Sequence, residues 1–308
     1  MNNRTHTHHE FAPLPSGVLV PASSITNYSA ESGSSYLAVK EKAIALEALF
    51  IKAKLALRRS PSLTELITSA KLLSDEWFCS PTKELRTTLL FAAIQTDRIA
   101  TSTLAAQDDP MLPSLLPHLL EGSINLFSRD PAKAKNILWE LEVYLILKLH
   151  DLEVSLNEPD VVARIDGENV GVACKKLYSE ANVGKVVSEA VHQIERAGEF
   201  GIVAINLDDT FPPDVILNGR SLKAISGTLS QRNDEFMARH EHTLQRYLPS
   251  GRSLSALVSS AVIADVPRSK RRFYNARETT IWYVPALPPG KAKKMKQIFE
   301  SFSAKYRA

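Results

Sequence analysis

The sequence predicts a chain in two parts, an all-α N-terminal region followed by an α/β core. From Tyr36 to about Leu126, apolar residues recur at three- and four-residue steps, the period of helices packed on one face. From about Asp130 onward, helical patterns alternate with short runs rich in β-branched residues, as in α/β proteins. The chain has 308 residues, enough for two domains or one large one.

Changes in composition divide the chain into three segments. Residues 1–35 are rich in Ser, Asn, His and Pro and are predicted to be a mostly irregular tail, with one short docked piece at 18–20. Residues 36–127 are predicted to form a helical domain, and residues 128–308 a domain that holds the α/β core and a C-terminal extension. Four residues of the tail could bind a metal, although a polar terminus is the simpler interpretation: His6, His8, His9 and Glu10.

The helical N-terminal domain carries no recognisable chemistry. Its predicted helices lie at about 46–57, 62–78, 82–99 and around 119. The second helix begins with Ser62-Leu-Thr-Glu, whose spacing resembles a capping box. Trp77 and Phe91 are expected in the core. We interpret this domain as a module for packing, for dimerisation or for contact with a partner subunit.

The second half alternates strands and helices around one hairpin signal. The residues Asp166-Gly-Glu-Asn169 predict a tight turn between two strands. The predicted helices are 132–149, 183–197, a helical region at 214–247, and 291–307. The predicted strands are 152–156, 161–165, 170–177, 201–207, 255–266 and 280–284.

Charge and cysteine content exclude several functional classes. The formal charge is only +3, so a nucleic-acid surface must be a local patch. Cys79 and Cys174 provide neither a disulfide framework nor a zinc spacing, which fits a reducing, cytoplasmic setting. The sequence has no run of about 18 apolar residues, so we expect no membrane span. It also has no glycine-rich phosphate loop, dinucleotide fingerprint or metalloprotease helix, so ATP hydrolysis, hydride transfer and zinc proteolysis lack support.

The strongest chemical signal is an acid and a lysine on neighbouring predicted strands. Asp160 opens the second core strand and Lys175 lies in the third. Lys175 and Ala173 are two residues apart and therefore point to the same face. The hairpin should bring Asp160 and Lys175 together. A carboxylate beside a lysine can hold a divalent metal and stabilise charge during phosphodiester hydrolysis.

These residues resemble the PD-(D/E)XK nuclease superfamily, also called restriction endonuclease-like. Pro159-Asp160 and then Ala173-Cys174-Lys175 match its Pro-Asp and Glu-x-Lys motif, over roughly residues 130–210. The resemblance implies a core of helix, three antiparallel strands, helix and strand. It also implies an endonuclease that uses Mg²⁺, with Mn²⁺ as a substitute, and acts on double-stranded DNA. Restriction or antiviral defence is the setting that it suggests.

The chain departs from this motif at Ala173, where the family carries a metal-binding glutamate. One subgroup of its restriction endonucleases has a small residue there and moves the acid to the next helix, about thirteen residues past the lysine. Glu189 has that spacing, with thirteen residues between it and Lys175. By this resemblance Asp160 and Glu189 are metal ligands and Lys175 positions the attacking water. The backbone carbonyl of Cys174 is a further ligand.

The resemblance also assigns two assisting residues. Glu140, on the helix before the strands, matches the auxiliary acid of many such nucleases, and Glu142 is a rival for that place. Gln193 resembles a glutamine that some branches carry on the second helix. By contrast, we expect Lys176 to face the other way and to be solvated. We expect the thiol of Cys174 to be a buried hydrophobe and His192 to be a helix-surface residue.

A basic segment and the C-terminal helix are candidate partner surfaces. A cationic stretch interleaved with Phe273 and Tyr274 suits a phosphate backbone, although a solvated loop fits equally well. Its cations are Arg268, Lys270, Arg271 and Arg272, with Arg277 close behind. The amphipathic helix at 291–307 is expected to dock on the core. Membrane-surface binding and phosphate contact are the alternatives.

Three alternatives to a nuclease stay open from the sequence. The first is a catalytically inactive nucleic-acid-binding or assembly protein on the same fold, which Ala173 favours. The second is an ordinary α/β domain with surface Asp and Lys residues. The third is a protein-interaction module in which the helical half does the work. A homodimer would suit cleavage of both strands of a duplex.

Overall fold

A computed structural model describes residues 11–13, 19–21, 36–76, 83–267, 273–283 and 287–304. The helices are α1 (Tyr36–Lys52), α2 (Pro61–Glu76), α3 (Lys83–Ala105), α4 (Leu112–Leu115), α5 (Lys133–Leu149), α6 (Val183–Ala197), α7 (Leu222–Tyr247) and α8 (Pro289–Ala304). The strands are β1 (Phe11–Pro13), β2 (Leu19–Pro21), β3 (Glu153–Asn157), β4 (Asp160–Ile165), β5 (Glu168–Lys176), β6 (Phe200–Asn206), β7 (Ile216–Asn218), β8 (Ser253–Asp265) and β9 (Phe273–Tyr283). Helices therefore precede a mixed α/β part, as the sequence predicts.

Seven strands form one mixed sheet. β3, β4 and β5 are antiparallel neighbours, and β5, β6 and β8 then run parallel to one another. β7 pairs with the end of β8 in parallel, and β9 pairs with β8 from Ser255 to Asp265 in the antiparallel sense. β1 and β2 form a separate two-stranded ribbon, which includes part of the short piece expected at 18–20.

The helical region and the sheet share one apolar core. This core runs from Val39 in α1 to Ile298 in α8, and it includes residues of α2, α3, α5 and the central strands. Trp139 of α5 is buried against the sheet and donates its indole N–H to the carbonyl of Ala204 in β6 at 3.1 Å. The N-terminal helices are therefore packed into the same core as the sheet.

A buried ion cluster joins α3, α5 and the sheet. Arg98 of α3 pairs with Glu142 of α5 and with Asp208, which follows β6. Arg277 of β9 pairs with Glu142 at 2.7 Å and stacks over the ring of Trp139. Glu142 is thus committed to two arginines, which corrects its placement as a rival auxiliary acid. Arg277 is buried here as well, so it does not belong to a phosphate-binding surface.

Several boundaries differ from the sequence predictions for local reasons. Ser62 lies inside the first turn of α2 because Pro61 already occupies a helical position, and its hydroxyl accepts the N–H of Ile124 at 3.2 Å. The capping-box interpretation is therefore wrong. β7 was missed inside the region predicted as helical, and α7 begins only at Leu222, after the Ser221 cap. β9 begins at Phe273 and is much longer than the predicted strand 280–284.

The C-terminal helix docks on the core, as expected. Met295 and Ile298 of α8 are buried in the common core. Lys291 donates to the carbonyls of Pro249 and Ser250 at 2.6 and 3.1 Å, which ties the start of α8 to the loop before β8. No described helix is both long and apolar enough to cross a membrane.

Candidate active site

The β4–β5 hairpin sets the positions of the candidate site residues. Ile165 pairs with Glu168 across the two-residue turn Asp166-Gly167, whose φ angles of 51° and 81° fit a type I′ turn. This register continues to Val161 opposite Val172. Asp160, at the start of β4, therefore lies beside the last third of β5.

Asp160 is held by hydrogen bonds to both of its carboxylate oxygens. Its Oδ2 accepts the backbone N–H of Cys174 at 2.6 Å, and its Oδ1 accepts the side-chain N–H of Gln193 in α6 at 2.8 Å. Burial raises the pKa of Asp160, while the charge of Lys175 and these hydrogen bonds oppose the rise. The carboxylate is thus fixed in one orientation next to α6.

Gln193 also connects Asp160 to Lys175. The ammonium of Lys175 donates to Oε1 of Gln193 at 2.6 Å and lies 3.9 Å from Oδ2 of Asp160. Gln193 additionally donates to the backbone carbonyl of Pro159. The structure brings together Asp160, Lys175 and Gln193 in one hydrogen-bonded group.

Glu140 of α5 adjoins this group. Burial raises the pKa of Glu140 to about 8, and the negative charges of Asp160 and Glu158 raise it further, against Lys175. Glu140 is therefore close enough to Asp160 for their charges to interact. The site therefore favours the protonated form of Glu140 more than water does.

Glu189 lies at the mouth of the site. Its side chain is 57% exposed, and its carboxylate faces Lys185 at 3.9 Å, one helical turn earlier on α6. It lines an open depression together with Lys175, His192, Gln193 and Arg196. Among the described residues no contact joins Glu189 to Asp160, and the amide of Gln193 occupies the place beside Asp160.

Two glycines explain how closely the elements approach. A Cβ atom added to Gly171 in β5 would lie 2.6 Å from Cδ of Pro159, the residue before Asp160. A Cβ atom added to Gly201 in β6 would lie 2.7 Å from the carbonyl oxygen of Gly171 and 2.8 Å from Ile194 in α6. Small residues at these positions let Pro159 and α6 pack directly on the sheet.

The two residues that flank Lys175 face the opposite side. Cys174 is buried, and burial raises the pKa of its thiol, which agrees with a small hydrophobic role. Lys176 was expected to be solvated, but its side chain is only 4% exposed and pairs with Asp209 at 2.7 Å and Asn206 at 2.8 Å. The sequence signal that could have indicated this buried partner is the polar stretch Asn206-Leu-Asp-Asp209 at the end of an apolar strand.

Some of the acids predicted from the sequence are placed where they could bind a cation. Asp160 and Glu140 are two partly buried acids whose charges repel, and a divalent cation between them would relieve that repulsion. Within the described residues, no group of three or more His, Cys, Asp or Glu side chains is placed to hold a metal. Glu189 would have to turn away from Lys185 to become a third ligand.

The remaining predicted site residues are four cations of the basic segment and His192. Arg268, Lys270, Arg271 and Arg272 lie outside the described residues. His192 is exposed, and its hydrogen-bond partners among the described residues are the backbone carbonyl and hydroxyl of Ser188 within α6, as expected for a helix-surface residue. Comparisons with protein-family models, with curated proteins and with solved structures found no match to this chain.

Proposed function

We propose that the chain is a Mg²⁺-dependent endonuclease of the PD-(D/E)XK type that hydrolyses phosphodiester bonds in DNA. The observation that carries the proposal is the hydrogen-bonded group of Asp160, Gln193 and Lys175, of which Gln193 and Lys175 line an open depression. The antiparallel β3–β4–β5 unit between α5 and α6, followed by β6, supports a restriction endonuclease-like core. Mn²⁺ would substitute for Mg²⁺.

Each residue of the group has a role that follows from its position. Asp160 and Glu140 would hold the cation, and Glu189, at the rim, is the third candidate ligand. Lys175 reaches the depression and would orient a water or stabilise negative charge on the phosphate. Gln193 holds both Lys175 and Asp160, so it fixes their relative orientation.

A bound Mg²⁺ would neutralise charge on the phosphate and lower the pKa of a coordinated water. The pKa of Glu140 is raised by burial and nearby negative charge, and a cation bound at this pair would lower it. The exposed side chain of Arg196 lines the depression, and the exposed Lys185 lies one helical turn before Glu189 on α6, so both cations lie where a phosphate backbone could run. The basic segment at 268–272 stays a proposed nucleic-acid contact.

Plasmid cleavage tests the proposal. Supercoiled plasmid is incubated with Mg²⁺, Mn²⁺ or a chelator and with wild-type protein, Asp160→Ala or Lys175→Ala. We expect metal-dependent nicking by the wild type and a loss of about 100-fold or more in each variant, with unchanged circular dichroism. Full cleavage by both folded variants would rule out this site.

A catalytically inactive nucleic-acid-binding or assembly protein is the second candidate function. It is favoured by Ala173 in place of the usual glutamate and by the contact between Glu189 and Lys185. Glu189→Ala separates the two candidates. The variant loses cleavage if Glu189 completes a catalytic metal site, whereas an inactive binding protein shows salt-sensitive DNA binding in both forms and no cleavage in either.

A further inference from the structure

The connection between α1 and α2 presents a cluster of positive charge at the surface. The sequence has no Asp or Glu between Glu47 and Glu65. Over the whole chain, Lys and Arg outnumber Asp and Glu by only three, and this connection alone contains four cations. All four are exposed, and together they are called the basic turn: Lys52, Lys54, Arg58 and Arg59. In a chain of such low net charge, a polyanion is bound by a local surface of this kind.

The acids nearest to the basic turn are already paired with other cations. Glu47 pairs with Lys71 of α2 at 2.7 Å, and Asp97 of α3 pairs with Lys42 of α1 at 2.6 Å. Within the described part of the chain, none of the four cations of the basic turn has an ion-pair partner. Their charges are therefore available to an anion outside the protein.

The backbone of the basic turn is fixed on the protein. The N–H of Leu55 donates to the carbonyl of Phe50, and the N–H of Lys54 donates to the carbonyl of Ile51, both at 2.9 Å. This pair of bonds is a Schellman motif, which ends α1. The side chains of Leu55 and Leu57 pack against the common core. The leucines thus hold the turn in place while its cations stay at the surface.

The stability of the fold does not explain where most of these cations lie. Lys54 has a φ angle of 58°, in the left-handed region where this motif usually has glycine. Arg58 and Arg59 come just before Pro61, the first residue of α2, and the positive end of a helix disfavours cations. Lys52, in the last turn of α1, is placed favourably. Three of the four cations therefore suit binding better than folding.

The chemistry of the basic turn fits a phosphate backbone better than a lipid surface. Cations that neutralise phosphates gain affinity by releasing counterions, and the planar guanidinium of arginine matches a phosphate group. Binding at a membrane surface also needs an apolar face beside the cations. Because Leu55 and Leu57 pack on the core, Ile51 is the one exposed large apolar side chain within residues 51–60. Charge therefore dominates this surface.

We propose that the basic turn binds the phosphate backbone of a nucleic acid, outside the α/β part that holds Asp160 and Lys175. The inference rests on nucleic acid as the partner in the proposed function, and it holds equally for a catalytically inactive binding protein. Contacts to phosphates carry no base specificity. The helical N-terminal region thus anchors the nucleic acid through charge, whatever its sequence.

Duplex binding by the full chain tests the basic turn. A fluorescein-labelled duplex of about 30 base pairs is titrated by anisotropy at several NaCl concentrations, with EDTA present to prevent cleavage. Arg58→Gln/Arg59→Gln should lower the affinity at about 0.1 M salt by about 10-fold or more, and the salt slope by about two. Arg220→Gln/Lys223→Gln removes the same charge at exposed positions near the start of α7 and should stay within about twofold of the wild type.

Lys54→Gly separates binding from folding. Glycine is the usual residue at this position of the motif, so the urea midpoint should equal or exceed that of the wild type. The loss of one cation should still lower the salt slope of duplex binding by about one. A wild-type salt slope in this folded variant would remove Lys54 from the contact.

Four outcomes would overturn the proposal. They are no duplex binding by the wild type, wild-type affinity and salt slope in Arg58→Gln/Arg59→Gln, an equal loss in Arg220→Gln/Lys223→Gln, or an effect confined to binding of phosphatidylserine vesicles. The last outcome would assign the turn to a membrane surface. Plasmid cleavage by Asp160→Ala and Lys175→Ala judges the catalytic site separately, so failure of the basic turn and failure of the active site give different results.

Discussion

Lys175 and Lys176 are adjacent in the chain, yet their ammonium groups enter two polar sites on opposite faces of the sheet. Lys175 bonds to Gln193 of α6, and Lys176 pairs with Asp209, which also contacts α5 through Lys135. The alternation of side chains along β5 produces this division. One strand end thus contributes to an open site and to a buried ion network.

Removing the amide of Gln193 should impair the proposed activity without unfolding the protein. Gln193→Leu deletes the hydrogen bonds to Asp160 and Lys175 at nearly constant volume, so both groups lose their fixed orientation. We expect the single-turnover cleavage rate to fall about 10- to 100-fold, measured on plasmid with Mg²⁺. Gln245→Leu is the control, since its amide donates a hydrogen bond to Glu241 within α7, away from Asp160 and Lys175. Equal rates for the wild type and Gln193→Leu would remove this role.

Gly171 should tolerate no side chain. Gly171→Ala would press a methyl group against Pro159, which is fixed between the sheet and Gln193, so we expect a loss of unfolding free energy of about 1–3 kcal/mol. Gly227→Ala, in α7 with open space around it, should instead stabilise by about 0.5–1 kcal/mol. Urea unfolding measures both changes. An unchanged midpoint for Gly171→Ala would show that Pro159 can move freely.

Arg98 should contribute strongly to stability because it joins the N-terminal helices to the sheet. Arg98→Met leaves Glu142 and Asp208 with fewer cations in a buried site, and we expect a loss of about 3 kcal/mol or more in unfolding free energy. Arg58→Met, at an exposed position, should stay within about 0.5 kcal/mol of the wild type. Guanidinium unfolding compares them, and a small effect at Arg98 would mean that the cluster contributes little.

Glu278 should make stability depend on pH. Its side chain is 1% exposed, and burial raises its pKa from 4.5 to about 7 although Ser226 donates a hydrogen bond to it. Because the folded state retains a proton that the unfolded state has lost, stability should fall as pH rises from 4.5 to about 7. The shift corresponds to about 3 kcal/mol.

Glu278→Gln removes this titration while keeping a similar shape. The variant should therefore lose part of the decline in Tm between pH 4.5 and 7, and Glu140 will account for the part that remains in both proteins. Glu235→Gln, exposed on α7, is the matched control and should follow the wild type. Parallel pH profiles for the wild type and Glu278→Gln would contradict a buried, protonated Glu278.

Local patterns were enough to predict how Asp160 and Lys175 meet. A two-residue turn fixes the β4–β5 register, and strand alternation fixes the face, so both residues could be placed from the sequence. Gln193 could be assigned to the site from the resemblance and from its place one helical turn after Glu189. The α/β class and most helices followed from apolar periodicity, and β7 was missed because three residues carry little periodic signal.

Long-range partners could not be predicted in the same way. The burial of Lys176 depends on Asp209, which follows a different strand, and no spacing within β5 indicates it. The pairing of Glu142 with Arg98 and Arg277 joins residues far apart in the chain. For Glu189, spacing indicates the helical face but not whether its carboxylate turns toward Lys185 or toward Asp160.

The location of a bound cation tests the central claim most directly. Crystals soaked in Mn²⁺ should show an anomalous peak coordinated by Asp160 and Glu140, with Glu189 turned toward it if that residue is the third ligand. The peak should vanish in Asp160→Ala crystals soaked in the same way. Well-ordered wild-type crystals with no peak at Asp160, or with Mn²⁺ bound only elsewhere, would contradict a metal-dependent active site at this position.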